Sequence, residues 1–119
     1  MIDAVALLKN YHAALNAFDL GAVSTMFAED AVYVSPGLKG ELKTRATIVK
    51  SMRDYFAEYT DQVSQDQSIE LLDPYTVKST WSLVATSGKS GQKMRRSGVE
   101  LASFGKNGLL TRVDVRDVA

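Results

Sequence analysis

Tyr11 and Glu100 are the two side chains whose type and setting point most directly to chemistry. Tyr11 lies in LLKNYHAALNAFDL, residues 7–20. Plotted at 100° per residue, Leu7, Leu8, Tyr11, Ala14, Leu15 and Phe18 fall on one apolar stripe. A phenol near the centre of such a stripe buries its ring and needs a partner for its hydroxyl. In a plain core that partner is a backbone carbonyl or water; beside a pocket it is a ligand oxygen. Glu100 stands between Val99 and Leu101-Ala102 in a β-rich run. Facing inward, it would have to be protonated or paired, because a buried bare charge is costly; facing outward, it is solvated.

Other candidates are weaker. Trp81 shares a strand face with Val77 and Leu83, and serves either core packing or ligand stacking. His12 sits at the edge of the apolar stripe and is the only histidine in a chain without cysteine. A metal would therefore need carboxylates around that one ring, and no metal site or cofactor is expected. Gly88-Lys89-Ser90 is not a phosphate loop: Leu83 stands where the first glycine belongs, and the segment joins two strands.

Composition bounds the possibilities. With 119 residues the chain is long enough for one domain with a real core, here residues 1–119. Fourteen basic and fourteen acidic residues cancel, which argues against a nucleic-acid partner. There is no apolar run long enough to span a membrane and no basic, cleavable leader, so a cytoplasmic location is expected.

The positioning elements follow from periodicity. A first helix is predicted over about residues 3–18 with Asp3 as N-cap, and a short second helix begins at Asp19, with Val23, Met26 and Phe27 on its apolar side. AVYV at residues 31–34 reads as a short strand ended by Ser35-Pro36-Gly37. Gly40 and Thr44 lead into a third helix carrying Ile48, Met52, Tyr55, Phe56 and Tyr59. Beyond it the period becomes two. Strands are predicted over residues 65–72, 75–86, 92–104 and 109–118, separated by a turn at Asp73-Pro74, a loop at 87–91 and a turn at 105–108. On the second of these strands Tyr75, Val77, Trp81, Leu83 and Ala85 share one face. The fold class is α+β: three helices on one face of a curved, mainly antiparallel sheet.

YHAALNAFDL at residues 11–20, followed by FAEDA at 27–31, resembles the first-helix motif of bacterial ketosteroid isomerases. The chain is thus similar to the nuclear transport factor 2-like superfamily of cone-shaped folds, with the isomerases and the SnoaL-like polyketide cyclases as its nearest likeness. The resemblance implies that Tyr11 matches the isomerases' oxyanion tyrosine and Glu100 their second, acidic donor. That donor is a worked case of a carboxyl kept neutral by an apolar site. The isomerases' general base, an aspartate before a proline, falls at Ser35-Pro36. Serine cannot take a proton α to a carbonyl near neutral pH. Asp117, on the same strand face as Val113 and Val115, is one substitute; it is similar in place to the acid/base aspartate of the cyclases, and Asp114 is a second.

The resemblance further implies a conical pocket lined by Tyr11, Leu15, Phe18, Tyr33, Ser35, Met52, Phe56, Trp81 and Glu100. Its occupant would be a small, largely apolar molecule with a carbonyl or phenol oxygen. Two functions fit: an isomerase- or cyclase-like enzyme using Tyr11, Glu100 and Asp117, or a binding protein that lost the base at Ser35. Lys93, Arg95 and Arg96, with Arg112 and Arg116, read as a charged outer sheet face. Through that face, with Val99 and Leu101 at its centre, the resemblance implies a homodimer.

Overall fold

The computed structural model describes residues 2–36 and 40–118. Helix α1 spans Ala4–Asn16, and its N-cap Asp3 accepts from the Ala6 amide at 3.1 Å. The helix stops because Phe18 adopts a left-handed φ of 57°. The Phe18 amide then bonds the Leu15 carbonyl and the Asp19 amide the Ala14 carbonyl, both at 3.0 Å. Asp19 at once caps α2 (Leu20–Met26) through the Ala22 amide.

Phe27, expected on the second helix, instead opens strand β1 (Phe27–Ser35) and is fully buried. The strand is thus longer than AVYV alone suggests, because the apolar anchor at its start lies in the core. Residues read only as a lead into the third helix form β2 (Gly40–Lys43), which pairs antiparallel with β1 from Val32↔Lys43 to Ser35↔Gly40. Gly37, placed by the sequence in the intervening turn, lies outside the described residues. Thr44 caps α3 (Arg45–Glu58). Strands β3 (Val63–Asp73), β4 (Thr76–Thr86), β5 (Lys93–Phe104) and β6 (Leu110–Asp117) complete the chain.

The six strands form one sheet in the order β2-β1-β6-β5-β4-β3. All neighbours are antiparallel except β1 and β6, which run parallel. The helices cover one face, so alternate strand residues enter the core: Val77, Ser79, Trp81 and Ala85 from β4, Glu100, Ala102 and Phe104 from β5, Val113 and Val115 from β6. Leu8, Tyr11, Val23, Phe27, Ile48 and Met52 meet them from the other elements. This is the α+β architecture the periodicity predicts.

One glycine is required by close approach. A Cβ on Gly98 would lie 2.0 Å from the Arg116 carbonyl oxygen and 2.8 Å from Cζ2 of Trp81. The indole, whose strand residue pairs with Gly98, therefore lies directly over the bare β5 backbone. Arg96 shares the inward parity of Gly98 and Glu100, so it does not belong to the outer basic face where its neighbours Lys93 and Arg95 suggest it.

Candidate functional site

A cavity of about 100 Å³ opens between α1, α3 and the concave sheet face. Its wall is largely apolar: Leu15 from α1, Met52 and Phe56 from α3, Leu83 from β4, and Val115 from β6. Tyr33, Ser35, Trp81 and Glu100, all named from the sequence as candidates, also line it. His12, Gln62, Ser64 and Arg96, which neither alternation nor helical spacing singled out, complete the lining with Tyr55, which the spacing placed on the apolar side of the third helix without naming it a pocket residue.

Glu100 faces this cavity and is only 6% exposed. It is paired. His12 Nε2 donates to its Oε1 at 2.6 Å, and the Ser79 hydroxyl donates to the same oxygen at 3.3 Å. The other ring nitrogen, Nδ1, donates to Asp66 Oδ2 at 2.7 Å. A helix residue thus bridges carboxylates on β3 and β5. Burial alone would lower the His12 pKa, but hydrogen bonds to Asp66 and Glu100, with their charges, raise it from 6.5 to about 10. At neutral pH the ring is an imidazolium donating from both nitrogens. Glu100 therefore accepts rather than donates here, unlike the neutral acid the isomerase likeness implies. The carboxylates occupy opposite sides of one ring, so the three groups do not converge on one point as metal ligands would.

Tyr11 does not line the cavity. The centre of the stripe that the sequence marks is turned fully into the core, where the ring meets Phe27 edge-on at 5.5 Å. Its hydroxyl makes no well-formed hydrogen bond among the described residues and has the Tyr33 hydroxyl as its polar neighbour. Burial, then the neighbouring Tyr33 phenol and the Glu100 charge, hold its pKa well above the ordinary phenol value. Tyr33 is the phenol on the cavity wall. Burial first, and Glu100's charge second, push its pKa up, so it remains a protonated donor.

Phe18 is likewise absent from the wall: its left-handed backbone swings the ring onto Phe56, with centroids 4.8 Å apart. Asp117 is on the expected strand face but beyond the cavity, because β6 ends there at the sheet margin. It is held by Arg96 through Nε–Oδ2 at 2.8 Å and Nη2–Oδ1 at 2.6 Å. Arg96 in turn lies over the Trp81 ring, 5.4 Å from its centroid. The pair borders an outer hollow that also includes Asp54, Tyr55, Glu58 and Lys89. Asp114, the other candidate acid, pairs with Arg112 at 2.8 Å. Among the described residues no helix is long and apolar enough to cross a membrane.

Known proteins share this architecture. An NTF2-like protein from Exiguobacterium sp. 255-15 superposes with a TM-score of 0.82 at 14% identity, covering 94% of this chain and 98% of the other. A Mycobacterium tuberculosis protein solved with estradiol-17beta-hemisuccinate gives 0.83 at 15% identity, covering 94% and 91%. An epoxide hydrolase/cyclase-like enzyme of pyran ring formation in the polyether salinomycin gives 0.85 at 15% identity, covering 97% and 90%. At such identities the likeness is one of fold. No curated protein matches the chain in sequence. The SnoaL-like domain family matches residues 3–107. With that match spanning most of its length, the chain belongs to the SnoaL-like domain family.

Proposed function

We propose that this protein binds a small, largely apolar molecule carrying a carbonyl or phenol oxygen, and that it moves a proton on the bound molecule. The observation that carries the reading is Glu100, a carboxylate fixed by His12 and Ser79 inside an apolar cavity that it shares with the Tyr33 hydroxyl. Tyr33 donates to the ligand oxygen. Glu100 takes a proton from the carbon α to that carbonyl, the electron pair moves onto the oxygen, and the dienolate stays hydrogen-bonded to Tyr33. The same carboxyl returns the proton at the γ-carbon, so a β,γ-unsaturated ketone becomes its conjugated isomer. His12 holds Glu100 in place. Tyr11 backs Tyr33 from the core, and Asp117, tied to Arg96, takes no proton in this scheme.

Turnover of a simple β,γ-unsaturated ketone, followed by the ultraviolet absorbance of the conjugated product, tests the reaction. Wild-type turnover that disappears in Glu100→Gln supports it; turnover unchanged by that substitution sinks it.

A second reading, ligand binding without catalysis, is favoured by the His12–Glu100 pair itself. At 2.6 Å, His12 Nε2 occupies the Glu100 Oε1 that proton abstraction would use, and the Ser79 hydroxyl donates to the same oxygen. Ser35, buried on the cavity wall, stands where the isomerases keep their aspartate. Ligand binding with turnover only after Ser35→Asp would favour this reading. Assembly belongs to the same proposal: two copies pair through the outer sheet face around Val99 and Leu101. Sedimentation analysis showing a monomer would overturn that part.

A further inference from the structure

The cavity of about 100 Å³ is smaller than the few hundred Å³ that ordinary ligands fill. A second hollow of about 410 Å³ adjoins it, and Tyr55 and Arg96 belong to the walls of both. Three polar atoms of the cavity-lining residues are sealed from water and make no well-formed hydrogen bond among the described residues: Gln62 Oε1, Trp81 Nε1, and Tyr55 Oη, whose polar neighbour Arg96 lies outside good hydrogen-bond geometry. Tyr55 belongs to the shared wall, and the other two follow from the strand register. Trp81 lies under Arg96, and Gln62 is two residues before Ser64, which pairs with Leu83, itself the strand partner of Arg96. One unmade hydrogen bond of this kind is unusual in a folded protein; three among the lining residues of one cavity call for a missing partner.

We propose that the two hollows are the halves of one ligand site and that Trp81, Gln62 and Tyr55 form a second polar subsite, specific for a hydroxyl group. The inference rests on the cavity reading above and adds a ligand class: a rigid apolar body with an oxygen at each end. The far oxygen sits by Tyr33 and Glu100, the near one at the junction. Strand geometry sets their separation. Ser79, which donates to Glu100, is two residues from Trp81 on β4, and Glu100 is four from Arg96 on β5. The oxygens are therefore roughly 7–14 Å apart.

A hydroxyl suits the trio because it can accept from the indole N–H, donate to the Gln62 carbonyl, and do either with the Tyr55 hydroxyl. A carboxylate suits it less. It could not donate to Gln62, Arg96 is already held by Asp117, and Asp54 and Glu58 add negative charge to the outer hollow. The three atoms are closed off without ligand, so Tyr55 and Arg96 part from each other as the second hydroxyl enters.

Calorimetric titration with para-phenylphenol, its para′-hydroxyl derivative and its para′-carboxyl derivative tests this, because the three share one apolar body. The diol is expected to bind about tenfold more tightly than the mono-phenol, with the carboxylate no tighter than the mono-phenol. The ratio of diol to mono-phenol affinity should fall to about one in Trp81→Phe and, independently, in Gln62→Leu. Mono-phenol binding with no gain from the second hydroxyl, or a gain that survives both substitutions, overturns the subsite and leaves the cavity reading standing. Preference for the carboxylate also overturns it, in favour of an anion site at Arg96. Failure of all three to bind overturns both readings.

Discussion

Replacing His12 by glutamine tests the bridge that holds Glu100, and its effect should depend on pH in a defined way. The His12 pKa is raised in the folded chain from 6.5 to about 10. A raised folded-state value stabilises fully below the unfolded value and ceases to do so as the pH climbs through the folded one. The window is therefore from about pH 6.5 to about pH 10. At about 1.4 kcal/mol per tenfold change in proton affinity, that rise sets a ceiling of about 5 kcal/mol. The His12 and Asp66 side chains are 17% and 22% exposed, so solvent reduces the gain. A loss of about 2–3 kcal/mol across the window is the expected size. Urea denaturation of wild type and His12→Gln at intervals from about pH 5 to about pH 11 measures it as a difference, in which the titration of lysines and other tyrosines cancels. The stability advantage of wild type should be largest at the acid end and shrink steadily above pH 6.5. An advantage that is flat, or that grows with pH, would refute the imidazolium bridge.

The remaining expectations are simpler. Glu100→Gln should lower ketone turnover at least about 100-fold, measured by product absorbance, while para-phenylphenol still binds. Tyr33→Phe should weaken phenol binding about tenfold, whereas Tyr11→Phe should leave the Kd unchanged. Because the Tyr11 hydroxyl makes no well-formed hydrogen bond and only neighbours that of Tyr33, its removal should change stability by no more than about 1 kcal/mol; a loss of phenol affinity in Tyr11→Phe would put that residue back in the site. Gly98→Ala should lower the urea midpoint by the equivalent of about 1–3 kcal/mol or more, since its Cβ meets both Arg116 and Trp81; an unchanged midpoint contradicts that packing.

The order of helices and strands was legible because each element carries its own period. The inward set Val77, Trp81, Leu83 and Ala85 on β4 follows from alternation alone, and so does Glu100 once its strand is known. Local signals misled where they competed with a longer-range rule. The basic cluster around Arg95 masked the inward parity of Arg96. The helical stripe carried Phe18 one turn too far, since nothing in the spacing reveals a left-handed residue there. Tyr11 was correctly placed at the centre of an apolar stripe, but a stripe does not say which of its members face a cavity and which face packed core. The His12 bridge joins residues 54 and 88 positions apart, and no periodicity reports such a contact. A histidine beside an apolar stripe, with carboxylates on strands beneath the same helix, is the signal that could have pointed to it. β2 was missed because its alternation runs over only four residues, with a glycine and one leucine as the whole of its inner face.

The most direct measurement of the central claim uses the fact that the chain has one histidine. In a nitrogen-15 NMR spectrum at neutral pH, both ring nitrogens of His12 should show the protonated imidazolium pattern. Titration with para-phenylphenol should then move those resonances saturably, with the same Kd that calorimetry gives, because the ligand oxygen docks beside the Tyr33 hydroxyl and the Glu100 carboxylate that His12 holds. A neutral ring at pH 7, or imidazole resonances that stay fixed while the phenol binds, would contradict the account.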